Sequence, residues 1–546
     1  MQASERYLAE LLCLDPILAT ELGLEEGQDR LPDFSPEGEA ARADLARQAL
    51  GWLDAEPDAE PRAARSMRER LRTILALWDA HEPERRVGVI ATPQHAIKEA
   101  LDLMRLEGAE DLENLVARLE AIPAALAGYR ATLEHGLDHG HAGQRRQALA
   151  AAALADETAA AYFNGLVQQA EPLAPDEHRR EALARATARA RAAYAELAAY
   201  LRDDYAPRAD PHDGVGPERW ELWCQSANGR RFDPHEAVAW AAEELASLRR
   251  TLAREARALG LDAGPGLADA LDAMPAYRIE GVEAFLAWNQ AHIDAAIELV
   301  NERELPIPEP LRRCEAREAP AGGAAAMYYT PPSQDLRRPG RTWYPTKGKR
   351  SFALWSELTT VHHESVPGHH LQLGMVTWRT AHLDPFPRLL GATSGHIEGW
   401  ALYAERLADE LGLLPEPAYR IGYLYSQIFR TVRILIDVGL HLGIWVPESG
   451  PPAAPLVPER AVSMLTELAA LEEPFARSEV DRYLGWPAQA TSYKLGERSW
   501  LEARRLAEQA GVSRPRFHQA MLELGFVGLD ELLTAARALA TEATDA

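Results

Sequence analysis

Cysteine is scarce in this chain of 546 residues: there are three, Cys13, Cys224 and Cys314, widely spaced and in no Cys-x-x-Cys pair. An odd, scattered set argues against a disulfide framework or a cysteine–zinc site and reads as buried free thiols in a reducing compartment. Lysine is nearly absent too, and the formal net charge is −25. Without a basic surface to neutralise phosphates, nucleic acid is not an expected partner. The start, Met1-Gln2-Ala3-Ser4-Glu5-Arg6, lacks a basic segment followed by an apolar core, so the expected location is cytoplasmic. The apolar run from Gln427 to Trp445 is interrupted by Arg430, Arg433 and Asp437, which argues against a membrane span. No Gly-x-Ser-x-Gly elbow points to a serine nucleophile, and no repeat period is visible.

What is present is a globular composition, 47% hydrophobic and 26% charged, written mostly in alanine, leucine, arginine and glutamate at helical spacing. The expected fold is mainly α, a large multi-helix protein with a small β element and a deep central cleft. The proline run Pro306, Pro308, Pro310 suggests an N-terminal helical half over 1–305 and a C-terminal half over 306–546, within one compact unit. The stretch from Asp203 to Gly229 reads as a connection between helical blocks. Beyond it, Asp233 as N-cap, Pro234 at the first helical position and Glu236 two further on announce a helix. Between Cys314 and Arg350, aromatics with β-branched neighbours and proline boundaries predict short strands. Glu134 to His141 holds three histidines and an aspartate; its glycines fit a helix-ending loop better than a metal scaffold.

One stretch concentrates chemistry: Val361-His362-His363-Glu364-Ser365-Val366-Pro367-Gly368-His369-His370-Leu371-Gln372. Leu354, Leu358 and Val361 recur at helical spacing and carry His362, His363 and Glu364 near a helix end. In the zincin pattern, two histidines four apart on one helix bind zinc, and the glutamate after the first is the general base. Here an unbroken helix would set His363 and His369 roughly 9 Å apart on different faces. Pro367 breaks the helix and Gly368 permits a sharp turn, so a kink is expected to bring His369 back to His363. His362 and His370 compete for these roles; within each doublet one ring faces the metal while the other supports it or lines a cleft.

The third ligand is expected from Ser394 to Glu405, where a helix begins. Glu398 and Glu405 share a face, and Glu398 is taken as the ligand, with Glu405 in support. Two histidines and one glutamate leave a position for water, the arrangement of a hydrolytic Zn²⁺ site. Arg430, Arg433, Asp437 and His441 form one polar stripe on a helix otherwise fit for burial, so Arg433, Asp437 and His441 are expected to contact substrate or support the site.

The His-Glu-x-x-Pro-Gly-His-His-Leu-Gln stretch, the run Glu398-Gly399-Trp400-Ala401-Leu402-Tyr403-Ala404-Glu405 and Gln489-Ala490-Thr491-Ser492-Tyr493-Lys494-Leu495-Gly496 resemble the bacterial family catalogued as domain of unknown function 885. That family looks like a distant branch of the glutamate-zincin metallopeptidases. The resemblance implies a metallopeptidase-like fold and favours Tyr493 as an oxyanion donor. The expected activity is a zinc-dependent hydrolase acting on short peptides or small amides. His363, His369 and Glu398 hold the metal, Glu364 is the base, and Tyr493 with His441 donates to the oxyanion. Arg433, Lys494, Arg498 and Tyr329 are expected at the substrate, an arginine being suited to a free carboxylate. The rivals are hydrolysis of another amide or ester, tailoring of a specialised metabolite, and a metal-free peptide-binding scaffold.

Overall fold

A computed structural model describes residues 2–56, 60–319, 327–448, 450 and 454–545. The chain divides into two compact units, Met1–Leu222 with Ser478–Pro487, and Trp223–Arg477 with Ala488–Ala546. The division falls inside the Asp203 to Gly229 stretch, upstream of the proline run near 305. The prolines sit within the second unit because the elements on either side of them are tied together. Gln290, on the helix Val282–Arg303, donates from Nε2 to Cys314 O at 2.9 Å and accepts from Ala316 N at 2.9 Å.

The first unit is helical among its described residues. Its core is built by the helices Ala109–His139, Arg145–Glu157 and Glu177–Tyr200. Leu115, Leu119, Ile122 and Leu126, the alanines Ala148, Ala151 and Ala155, and the stripe Ala186, Ala190, Tyr194, Leu197 belong to one apolar cluster, in which Glu177–Tyr200 packs on both other helices. Alanine at three- and four-residue spacing lets helix backbones approach closely, while leucine and tyrosine fill the remaining volume.

The second unit holds the motifs. The helix announced by Asp233 forms as read: it spans Pro234–Ala258, and the Asp233 carboxylate accepts from Glu236 N at 2.9 Å. It packs on the long helix Pro417–Leu442, which also packs on Leu354–Glu364, so the polar stripe lies in a helix covered from more than one side. The strands expected between Cys314 and Arg350 are there. β1 (Arg278–Glu280) pairs antiparallel with β5 (Ser351–Ala353), which runs directly into the helix Leu354–Glu364. β2 (Cys314–Glu318) lies parallel to β4 (Gly340–Tyr344), and β3 (Tyr328–Thr330) antiparallel to it.

Cys224 and Cys314 are buried thiols outside any disulfide, but Cys13 is exposed, because it falls on the outward face of its helix. Among the described residues, no helix is long and apolar enough to cross a membrane.

Candidate metal centre

The helix Leu354–Glu364 buries Leu354, Leu358 and Val361 and ends at Glu364. The backbone then turns. The Val366–Pro367 peptide is cis, Gly368 N donates to His362 O at 3.0 Å, and His370 N donates to Ser365 O at 3.1 Å. A new helix, His369–Trp378, starts at once. Gly368 serves this turn through its missing side chain and not through a left-handed backbone: its φ is −74°, and a Cβ there would fall 1.9 Å from His363 O. Trp400 holds the turn from the neighbouring helix Ser394–Glu410, its indole N–H donating to the carbonyls of Pro367 at 3.0 Å and Gly368 at 3.1 Å. That helix is itself pressed against Ser492–Gln509, where a Cβ on Gly399 would meet Gly496 C at 2.5 Å. The loop that bends the motif and the helix that carries Glu398 are therefore fastened together by one tryptophan.

The kink brings His363 and His369 edge to face, with ring centroids 4.9 Å apart. Both face one carboxylate oxygen: Glu398 Oε2 is 3.4 Å from His363 Nε2 and 3.7 Å from His369 Nε2. Those separations are too long for charge-assisted hydrogen bonds of about 2.7–2.9 Å, and Glu398 Oε2 is buried without a hydrogen-bond partner. The first separation matches the roughly 3.3–3.5 Å edge of a tetrahedron whose metal–ligand bonds are about 2.0–2.2 Å, and the second lies a few tenths of an ångström beyond it. His363 Nε2, His369 Nε2 and Glu398 Oε2 could thus hold a zinc-sized ion with little movement.

Glu405 binds the far side of His363, accepting from Nδ1 at 2.8 Å, and is fixed by the hydroxyls of Thr359 at 3.0 Å and Ser426 at 2.8 Å. A carboxylate on that nitrogen sets the tautomer, leaving the Nε2 lone pair directed at Glu398. Burial opposes charge on His363, yet Glu398 and Glu405 outweigh it and push the ring up to about 10. The two carboxylates therefore ask for a positive charge, which an imidazolium or a metal ion satisfies equally well in sign. His369 is held down at about 4 by burial. Glu398, despite burial, is drawn down to about 2 by His363, His369 and Arg430, while burial raises Glu364 to about 7. Glu364 is nearly enclosed, and ligand atoms of Glu364, His363 and His369 all lie within 4.8 Å of one another.

The other doublet members are engaged elsewhere. His370 Nε2 donates to Leu311 O at 2.8 Å, and its Nδ1 accepts from the Tyr329 hydroxyl at 2.8 Å, so both nitrogens are taken. His362 Nδ1 donates to Val366 O at 3.1 Å, a contact inside the turn. His362 Nε2 is buried without a hydrogen-bond partner; His363 and His369 are the doublet members that face Glu398.

Several residues expected at the substrate lie in other contacts. Lys494 is fully buried, its ammonium directed at Gln427, Glu497 and Glu244, because a helix interior accepts a lysine only with its charge paired. Arg498 makes a bidentate pair with Glu236, at 2.9 and 2.6 Å, and lies over Trp240. Asp437 accepts from Ala488 N at 3.1 Å, anchoring the turn that precedes the Tyr493 helix. Arg433 stacks between Phe429 and Tyr493, its guanidinium 4.1 and 4.4 Å from the two rings. Tyr329 reaches the motif through His370, and His441 is buried in the last turn of Pro417–Leu442.

Four residues that sequence reading did not assign to the site now belong to it. Thr359 and Ser426 orient Glu405, and Trp400 pins the turn. Arg430, noted only as part of a stripe, donates to Ser426 Oγ at 3.1 Å, and its charge reaches both Glu364 and Glu398. For Trp400 the signal was its place two residues beyond Glu398; for the hydroxyls there was none.

The fold has solved relatives. A candidate lipoprotein from Colwellia psychrerythraea superimposes with a TM-score of 0.82 at 19% identity, covering 99% of each chain. A candidate lipoprotein of unknown function from Shewanella oneidensis gives 0.74 at 17% identity, over 97% of this chain and 98% of its own. At such identities the likeness speaks for the fold alone. No curated protein matches the sequence. The model of a family described as bacterial protein of unknown function, DUF885, matches residues 16–535, nearly the whole chain, and the protein belongs to that family.

Proposed function

We propose that the protein is a zinc-dependent hydrolase of the glutamate-zincin kind, a peptidase acting on short peptides. The observation that carries this reading is the convergence of His363 Nε2 and His369 Nε2 on Glu398 Oε2 at 3.4 and 3.7 Å, with Glu364 enclosed beside them. When bound, zinc supplies a Lewis acid that polarises the scissile carbonyl and makes water a nucleophile near neutral pH. Glu364 accepts the proton of the attacking water and passes it to the leaving amine. Glu405 keeps His363 in the tautomer that offers Nε2, and Thr359 and Ser426 keep Glu405 in place. Tyr493, under the Arg433 guanidinium, is the hydroxyl assigned to the oxyanion, because an adjacent cation favours a phenol that donates. The short strands beside the motif give an extended peptide an edge to pair with.

The deciding experiment is digestion of a peptide library by the purified protein, with and without chelator and after zinc is restored. Cleavage that chelation abolishes and zinc restores supports the reading. A protein that copurifies with no metal, and cuts nothing when given zinc, sinks it.

A further inference from the structure

A second histidine cluster lies in the first unit, independent of the proposed hydrolase site. Its hub is Glu84, on the short helix Glu82–Arg85 that follows Pro61–Asp79. His141 Nδ1 lies 2.7 Å from Glu84 Oε2, and His81 Nδ1 lies 3.1 Å from Oε1. His135 Nδ1 is 3.5 Å from the same Oε1. Sequence spacing links His81 with Glu84 and His135 with His141, but the two pairs lie more than fifty residues apart, which is why the Glu134 to His141 run showed no scaffold.

The convergence is built into the backbone. The helix Ala109–His139 closes with Gly140 in the left-handed region, and His141 N donates back to Gly136 O at 2.7 Å, which turns His141 inward. Gly136 leaves room for this: a Cβ there would lie 2.8 Å from both Glu84 O and His141 O. The His81 and His141 rings stack with centroids 3.8 Å apart, and both present Nδ1 to the one carboxylate. Ligand atoms of His81, Glu84 and His141 already lie within 4.8 Å of one another; the His81 separation of 3.1 Å is a few tenths of an ångström short of the roughly 3.3–3.5 Å edge of a tetrahedral site, while the His141 separation of 2.7 Å is that of a hydrogen bond, from which the ring must draw back by roughly 0.6–0.8 Å to share an ion. Beside them opens a cavity of about 430 Å³, lined by Glu39, Trp78, Asp79, His81, Glu84 and His135, which gives an ion a way in and water a place to complete its shell.

We infer that His81, Glu84 and His141, with His135 at their side, form a second metal site that takes a borderline divalent ion such as Zn²⁺ through imidazole nitrogen and carboxylate oxygen. The ion ties the segment after Pro61–Asp79 to the end of Ala109–His139, a clamp between two helices remote in sequence.

The test is zinc stoichiometry on the full-length protein, stripped with chelator, loaded with Zn²⁺ alone and freed of excess by gel filtration. Wild type is expected to hold about two ions per chain, and Glu84→Gln and His141→Gln about one each. His369→Gln, which removes a ligand of the other centre, should also hold about one, and His141→Gln combined with His369→Gln none. Since His81 is about half exposed, His81→Gln serves as a variant whose folding is not at issue, with far-ultraviolet circular dichroism as the control. A single ion that survives His141→Gln and Glu84→Gln but not His369→Gln overturns the inference, as does a wild type that holds none. A single ion lost in His141→Gln and kept in His369→Gln supports it while removing the hydrolase reading, so the two proposals fail separately.

Discussion

Two of the clusters that set imidazoles around a carboxylate among the described residues stand in different settings. Around Glu398 the rings are nearly buried, the turn that presents them is gripped by Trp400, and a further carboxylate stands behind His363. Around Glu84 the side chains of His81 and His135 are 47% and 45% exposed, and the nitrogens turned to the carboxylate are the Nδ1 atoms themselves. The difference is one of support. A centre meant for chemistry needs its ligands held from behind, so that the geometry is set before substrate arrives. A clamp needs only convergence, because the ion itself completes the order. The same residue types, at 3.4 and 3.7 Å in one cluster and at 2.7, 3.1 and 3.5 Å in the other, would suit the two tasks proposed.

The largest effect should come from the residue that only the buried centre possesses. Glu364→Gln is expected to lower peptide turnover by about 10²–10⁴-fold while zinc content stays unchanged, read by steady-state kinetics beside metal analysis. Wild-type turnover in that variant would make the two clusters alike in having no base.

Gly368→Ala tests whether the buried ligands depend on the turn. A Cβ placed 1.9 Å from His363 O must push the two helices apart, at about 3 kcal/mol of stability. Thermal melts should show the loss, and zinc should disappear from this centre but not from Glu84. Retention of both ions would show that the kink is not what gathers His363 and His369.

Glu405→Gln should weaken zinc at the buried centre by about 10–100-fold, measured by competition with a chromophoric chelator. The Glu84 cluster, whose rings turn Nδ1 to the carboxylate itself, provides the internal reference.

The smallest effect concerns a buried histidine–carboxylate pair that has no third ligand. His518 Nδ1 donates to Glu304 at 2.7 Å, with Arg514 on the same carboxylate. Burial acts to raise Glu304, but His518 and Arg514 outweigh it and hold it below the usual carboxylate range. A carboxylate depressed in the folded state contributes stability above its unfolded pKa and loses it as pH falls through the folded value. His518, lowered by burial, has the same sign, since protonation in acid disfavours the fold. The gap in melting temperature between wild type and Glu304→Gln should therefore narrow as pH drops below about 4. A gap that widens in acid would show that the pair is not ionised as drawn.

Local chemistry was legible wherever neighbouring residues decide the outcome. The Asp233–Pro234–Glu236 cap, the strands between Cys314 and Arg350, the break at Pro367 and the helix carrying Glu398 all appear where the residues announce them. Roles set by distant partners were not legible. Lys494 was read toward a ligand and lies among Gln427, Glu497 and Glu244; Arg498 was read as a clamp and pairs with Glu236. Sequence shows that a charge exists and on which helix face; Lys494 has one counter-charge on its own helix, Glu497, but Glu244, like the Glu236 that pairs with Arg498, comes from far along the chain.

By itself, then, the amino-acid order determined the helices, their caps and the interruption that bends the His-Glu motif, since these follow from backbone sterics and hydrogen bonds within a few residues. Only tertiary structure decided which histidine of each pair turns toward Glu398, that Trp400 secures the bend, and that Glu84 finds His141. Side-chain direction in a packed interior is chosen by whichever distant group satisfies it, and proximity of that kind has no signature along the chain.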